Sequence, residues 1–156
     1  MKYKYKDIYL EETIEEIFCK LNDSNIEYDP LTFTLLYKPY ENIEVYIYLI
    51  VGKILLIKIF DESFQIDNTL KVGIKLTDEI INKYDLYYDD FEEIYLSKKY
   101  KELVVIVDLA DNIIDFSFEE NCIGTLNAFT LFLESRYCTS ISLNNSNKAA
   151  VYFLMQ

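Results

Sequence analysis

Hydrophobic residues follow a helical spacing in one early segment of this chain and a strand-like pattern in the segments after it. From Leu10 to Leu21 the apolar positions recur every three or four residues while glutamates take the opposite side, which predicts an amphipathic helix. The segments Phe33 to Tyr37, Ile43 to Val51 and Ile54 to Phe60 are rich in β-branched and aromatic residues and predict strands. Gly52-Lys53 between the last two is the clearest hairpin signal.

The same order of elements occurs again further along the chain. Residues Leu76 to Tyr84 predict a short helix with Thr77 as its N-cap. Three antiparallel strands are predicted after it, at Glu92–Leu96, Leu103–Asp108 and Ile113–Phe118. We therefore expect an α+β fold that is mostly antiparallel sheet with two or three helices, and the repetition suggests two helix-plus-three-strand units about 60 residues apart.

The C-terminal part of the chain predicts one more helix and two more strands. Leu126 to Tyr137 has a helical spacing, and Thr139–Leu143 and Ala149–Met155 are strand-like. At 156 residues the whole chain, 1–156, fits a single globular domain.

Charge narrows the range of partners. A net charge of −12 and a pI near 4.4 disfavour direct binding to nucleic-acid phosphates and to anionic membrane surfaces. A basic protein is the natural complement, and simple solubility is the alternative. The sequence shows neither a secretory signal nor a stretch apolar enough to span a membrane, and its three cysteines have no metal-ligand spacing, so we expect a cytoplasmic protein.

Residues that carry catalysis are scarce. The chain has no histidine, a single arginine (Arg136) and three isolated glycines, which removes the commonest general base, the commonest metal ligand and any Gly-rich phosphate loop. We therefore predict a protein that is not an enzyme and has no cofactor and no metal. Carboxylates alone leave a small hydrolase as an alternative, which would need a concave pocket with two convergent acids, one of them with a raised pKa.

The densest acidic segment is Tyr84 to Glu93, with five carboxylates and three tyrosines in ten residues. Tyrosine supplies stiff apolar area and carboxylate supplies charge, a combination suited to gripping a basic protein. The alternative is an ordinary polar connection in which Leu86 and Phe91 anchor the segment in the core and the acids are only solvated. The predicted partner-binding residues are Tyr84, Asp85, Tyr87, Tyr88, Asp89, Asp90, Glu92 and Glu93.

A family resemblance covers about a third of the chain, from Leu70 to Glu120. It is carried by the residues 71–76 (KVGIKL) before the second helix, by 88–95 (YDDFEEIY), and by the strands 104–108 (VVIVD) and 112–116 (NIIDF). These resemble small immunity proteins of contact-dependent inhibition and other polymorphic toxin systems of bacteria. The resemblance implies a cytosolic inhibitor that binds a cognate protein toxin with a basic surface, such as a nuclease-type C-terminal toxin domain. A phage- or virus-encoded acidic protein that mimics nucleic acid is the alternative.

Overall fold

The structure is a computed structural model that describes residues 3–21 and 25–120. Within these residues the first half of the chain contains β1 (Lys4–Tyr5), β2 (Ile8–Tyr9), α1 (Ile14–Phe18), β3 (Ile26–Asp29), β4 (Thr34–Tyr37), β5 (Ile43–Tyr48) and β6 (Lys53–Ile59). The second half contains β7 (Gln65–Ile66), β8 (Leu70–Lys71), α2 (Asp78–Tyr84), β9 (Leu86–Asp89), β10 (Ile94–Ser97), β11 (Leu103–Val107) and β12 (Ile113–Glu119).

One eight-stranded antiparallel sheet contains both halves. Its strand order is β3-β4-β5-β6-β12-β11-β10-β9, so two four-stranded meanders meet where β6 pairs with β12. The prediction of a mostly antiparallel sheet is confirmed, and the two helices in the described residues are short, with five residues in α1 and seven in α2. The helix and strands predicted between 126 and 155 lie outside the described residues. No helix in the described ranges is long and apolar enough to cross a membrane.

The two halves are copies of one unit, which consists of a two-stranded hairpin, a short helix and a four-stranded meander. β3, β4 and β5 begin sixty residues before β9, β10 and β11. The register shift between Tyr46 and Ile47 in β5 has its counterpart between Ile106 and Val107 in β11. The predicted repetition is confirmed, but each unit has four strands rather than three. The exposed positions of the edge strands β3 and β9 break the hydrophobic pattern that identifies the other strands.

The hydrogen bonds that hold each helix start against the sheet are repeated as well. The N–H of Ile14 donates to the carbonyl of Gly52 at 2.8 Å, and the N–H of Leu76 donates to the carbonyl of Asp111 at 2.8 Å. Gly52 and Asp111 both have positive φ angles, 70° and 63°. Because the turn before β12 is one residue shorter than the turn before β6, equivalent residues in these last strands are fifty-nine apart.

An approximate two-fold axis passes through the junction of β6 and β12. Lys58 and Ser117 are paired across this junction and also occupy equivalent positions in the two units. On the face that carries the helices, the apolar residues around the axis are at most 1% exposed: Ile57, Ile59, Phe116 and Phe118. Burial of one such side chain stabilises the fold by roughly 1.5–3 kcal/mol. The junction is therefore part of the main core, which extends through both units.

Helix α1 is shorter than predicted because the residues before it pair with the sheet. The N–H of Glu11 donates to the carbonyl of Ile54 at 2.8 Å, and the N–H of Ile54 donates to the carbonyl of Glu12 at 2.9 Å. Thr13 then caps the helix. Its hydroxyl accepts from the N–H of Glu16 at 3.3 Å, while the Glu16 carboxylate accepts from the N–H of Thr13 at 2.8 Å. Glu16 thus completes a capping box, and the residues before Thr13 belong to the sheet and not to the helix.

Candidate functional site

The predicted contact residues lie at the end of α2, along the edge strand β9 and in the turn that follows it. α2 begins after Thr77, whose side chain accepts from the N–H of Ile80, as predicted for its N-cap. It ends at Asp85, an exposed residue with a φ angle of 49°. A left-handed residue at this position ends a helix and redirects the chain. The acidic segment is thereby placed at one outer edge of the eight-stranded sheet.

Tyr84 does not belong to an exposed surface. Its side chain is 0% exposed, and its hydroxyl donates to the carbonyl of Ile66 at 3.0 Å. Its ring lies 5.9 Å from that of Tyr100, measured between centroids. The prediction that Tyr84 contacts a partner is therefore wrong, because the last turn of α2 directs this side chain into the core.

Tyr87 and Tyr88 are exposed but lie on opposite faces of β9, because successive strand residues alternate. They are 42% and 46% exposed. The Tyr88 ring lies 5.1 Å from that of Tyr95, on the face where Leu86 is buried. The Tyr87 ring has the ammonium of Lys98 at 5.5 Å from its centroid. Partial desolvation and the neighbouring carboxylates of Glu93 and Asp90 raise the pKa of Tyr88.

Asp89 shapes the turn between β9 and β10. Its Oδ1 accepts hydrogen bonds from the N–H groups of Phe91 at 2.9 Å and Glu92 at 3.3 Å. Glu93 completes the turn with a φ angle of 57°. The carboxylates of Asp90, Glu92 and Glu93 are exposed and make no ion pair or hydrogen bond within the described residues. Asp89 thus serves the backbone, and the other three acids are free for a partner.

The side chain of Phe91 points into solvent. It is 91% exposed, whereas Leu86 is 7% exposed. The alternative in which both residues anchor the segment in the core is therefore right for Leu86 and wrong for Phe91. The sequence contains a signal for this exposure. Phe91 lies two residues after Asp89, and an aspartate that accepts from the backbone N–H two residues later places that residue at the tip of a turn.

The first unit builds the same turn with a single acid, Asp29. Oδ1 of Asp29 accepts from the N–H of Leu31 at 2.9 Å, and Oδ2 accepts from the hydroxyl of Thr32 at 2.8 Å. Phe33 closes the turn with a φ angle of 53°. Leu31, the counterpart of Phe91, is 67% exposed. An aspartate at the start, an exposed apolar residue at the tip and a left-handed residue at the end therefore define this turn in both units.

A second turn lies beside the first at the same end of each unit, because β-meanders place alternate turns at one end. In the second unit it connects β11 to β12, about 10 Å from the β9–β10 turn at two strand spacings. Oδ1 of Asp108 accepts from the N–H groups of Ala110 at 2.8 Å and Asn112 at 2.9 Å. Hydrogen bonds from Asn112 lower the pKa of Asp108. We call residues 88–93 and 108–111 the second tip, and their equivalents 28–33 and 48–52 the first tip.

The two tips differ in charge and in packing. The second tip contains six carboxylates and the first tip contains one. In the first tip the N–H of Leu49 donates to the carbonyl of Phe33 at 2.9 Å, and Leu49 is 8% exposed. In the second tip Glu93 takes the place of Phe33, and Leu109, the counterpart of Leu49, is fully exposed. The first tip is closed by apolar packing, and the second is open and acidic.

One buried acid lies elsewhere, on the sheet face opposite the helices and beside the two-fold axis. Asp115 is 4% exposed, and burial raises its pKa to about 6. Its Oδ2 lies 3.9 Å from Nζ of Lys58, and its Oδ1 has no hydrogen-bond partner among the described residues. Glu119 and Glu44 add to the unfavourable field that Lys58 opposes. Asp115 is therefore a buried carboxyl group whose charge is only partly compensated.

The hydrolase alternative requires two acids that converge in a pocket. A cavity of about 150 Å³ is lined by Asp7, Ile8, Lys20, Tyr37, Pro39 and Tyr40. It contains a single carboxylate and does not include Asp115. In the part of the chain that the structure describes, no group of three or more His, Cys, Asp or Glu side chains is arranged to hold a metal ion.

The second tip is therefore the candidate binding site. It combines exposed aromatic and aliphatic side chains with carboxylates that lack partners in the described residues. Comparisons with protein-family models, with curated proteins and with solved structures found no match to this chain.

Proposed function

We propose that this chain is an immunity protein that binds and neutralises a cognate bacterial toxin through the second tip. The observation that carries the proposal is the presence of six carboxylates where the same turn frame in the first tip has one. Only two of the six, Asp89 and Asp108, are needed to hold backbone N–H groups. The carboxylates of the other four make no hydrogen bond or ion pair within the described residues, and a basic partner would relieve their mutual repulsion.

The proposed partner is a nuclease-type toxin domain. A protein that acts on nucleic acid needs clustered Lys and Arg to hold the phosphates. An inhibitor with an acidic surface can cover such a cleft and is attracted to it over long distances, which raises the association rate. Fast association matters for an inhibitor whose free target is lethal.

The proposed contact surface straddles the edge of the sheet. Asp89 shapes the turn, and Tyr84 is buried beneath it. A partner that wraps the edge touches both faces of β9 and therefore both exposed tyrosines. The contact set that follows adds two exposed residues of β9 and its start, Asp85 and Tyr87, to the exposed second-tip residues Tyr88, Asp90, Glu92 and Glu93.

Neutralisation is tested by identifying the protein that this chain captures in a pull-down followed by mass spectrometry, and by producing the toxic domain of that protein with and without this chain in the same cells. We expect growth only when both are made, and a complex of the two in equal amounts on gel filtration. Toxicity that this chain does not relieve would contradict the proposal.

The role of charge is tested with the double variant Asp90→Lys and Glu92→Lys. Both side chains are exposed and free of contacts in the described structure, so the fold should be kept. We expect association with the toxin domain to slow at least tenfold at low salt and the difference to shrink as salt screens the charges. The control variant, Glu15→Lys and Glu41→Lys, makes the same charge change at exposed positions of the first unit. Equal association rates in the two variants would remove the second tip from the mechanism.

A further inference from the structure

Two large apolar side chains stand fully in solvent at the same end of the second unit. Phe91 is 91% exposed at the β9–β10 turn, and Leu109 is fully exposed at the β11–β12 turn. The two turns are neighbours about 10 Å apart, at two strand spacings. Single exposed hydrophobic residues are common on proteins, but two on adjacent turns form one patch that a single partner can cover.

The exposure of Leu109 has a cause in the sequence. In the first tip Leu49 is buried, and its N–H donates to the carbonyl of Phe33. The side chain of Phe33 packs against the core. In the second tip the equivalent position is Glu93, which is exposed, and within the described residues the N–H of Leu109 makes no such bond. The same backbone turn therefore buries the leucine of the first unit and leaves its counterpart in the second unit exposed.

Charge surrounds the apolar pair and indicates what covers it. Exposed carboxylates lie beside both turns and form no ion pairs within the described ranges: Asp90, Glu92, Glu93 and Asp111. The second tip contains neither lysine nor arginine. An acidic rim around an apolar centre excludes acidic and membrane-like partners and complements a basic protein segment.

We propose that Phe91 and Leu109 are the apolar anchors of a docking surface for a basic protein segment that carries an aliphatic or aromatic side chain. The segment's side chain lies between the two turns, and its Lys or Arg residues meet the four carboxylates of the rim. This inference rests on the proposed function, because the segment would belong to the toxin. It adds that affinity comes from the two anchors while the acids chiefly set the rate of encounter.

The docking surface is tested without the toxin, with a phage-displayed library of random disulfide-constrained peptides selected on the full chain. We expect the enriched peptides to combine Lys or Arg with an apolar residue. A synthetic copy of the most enriched peptide should bind at least tenfold more weakly to Phe91→Ser and to Leu109→Ser. The matched control is Leu31→Ser, which removes the equivalent exposed residue of the first unit and should leave binding unchanged.

The possible results separate this inference from the proposed function. Enriched peptides without net positive charge, or binding that is equal in wild type, Phe91→Ser and Leu109→Ser, would overturn the docking surface. Equal weakening by Leu31→Ser would overturn it as well, since the two tips would then be interchangeable. If basic peptides bind the anchors but the chain fails to protect cells from the toxin domain, the docking surface stands and the immunity proposal fails. Because both anchors are exposed, far-UV circular dichroism should show each variant folded.

Discussion

The two units of this chain share a backbone frame and differ in what they place on it. The turn after each edge strand, the left-handed positions and the hydrogen bonds at the helix starts recur from one unit to the other. The first tip is apolar and partly closed over itself, whereas the second is acidic and open. The shared features show what the fold requires, and the differences show where the sequence is free to serve a partner.

The aspartate that begins each tip turn illustrates the requirement. Asp29 and Asp89 both accept from the N–H two residues later, each at 2.9 Å. The intervening positions differ completely, with Pro30 in one unit and Asp90 in the other. A turn that folds equally well with either residue does not explain the acid, so the acid needs a reason outside the fold.

The largest expected effect comes from breaking the junction that the units share. Phe116→Ala should destabilise the protein by about 4 kcal/mol and Ile57→Ala, its counterpart, by about 3 kcal/mol, because each leaves a cavity in the core. Urea unfolding followed by far-UV circular dichroism measures both.

Because β6 and β12 are neighbours in one sheet, we expect both variants to keep a single cooperative transition. Two separate transitions in either variant would show that the two units unfold independently of each other. An exposed substitution such as Ile114→Ala is the control and should change stability by much less, since that side chain is 46% exposed.

Sequence patterns predict the repeated frame well because it depends on local signals. The strand β5, the N-cap at Thr77 and the turn before β12 are each indicated by residues close in sequence. The edge strands and the short hairpins are not predictable in this way, because two to four residues carry too little periodicity. Nor is the burial of Tyr84, since it depends on how the last turn of α2 meets the sheet. The sequence therefore predicts the acids of the candidate surface but not its exposed apolar residues.

A smaller effect is expected at Asp115, where the second unit has an acid and the first has Leu56 at the equivalent position. Its pKa is about 6 in the folded protein against a usual value of 3.8, so the folded state disfavours the charged form. The contribution of Asp115 to stability should therefore fall by about 3 kcal/mol as pH rises from about 4 to about 6 and then level off. Asp115→Asn should remove this slope and gain about 2 kcal/mol at pH 8.

Urea unfolding at pH 4.5, 6 and 8 measures the slope, with the exposed Asp111→Asn as a control that should retain it. A slope of the same size in Asp115→Asn would assign the pH dependence to other groups. The outcome shows whether the second unit tolerates a destabilising acid where the first has an aliphatic side chain.

Substitutions at a left-handed position that both units share should change the free energy of unfolding by about 1 kcal/mol. Glu11 and Gly73 are equivalent, with φ angles of 65° and 87° and the same hydrogen bond to β6 or β12. Gly73→Ala should cost about 1 kcal/mol, because a Cβ is disfavoured in this conformation. Glu11→Gly should gain about 0.5 kcal/mol, since the relief of strain exceeds the entropy lost by glycine. Thermal and urea unfolding measure both, and a loss on Glu11→Gly would show that the hydrogen bond between the Glu11 and Glu120 side chains outweighs the relief of strain.

The smallest effect on stability is expected at the two exposed tip residues, where the proposed difference in function is greatest. Phe91→Ser and Leu31→Ser should each change the free energy of unfolding by less than about 0.5 kcal/mol, because neither side chain is buried. A loss of more than 1 kcal/mol for Phe91→Ser alone would mean that the phenylalanine serves the fold, and its exposure would no longer require a partner. Equal and negligible losses of stability would show that the backbone of these turns depends on neither side chain. Any difference between the variants in binding a basic segment then arises from the surface and not from the stability of the unit that carries it.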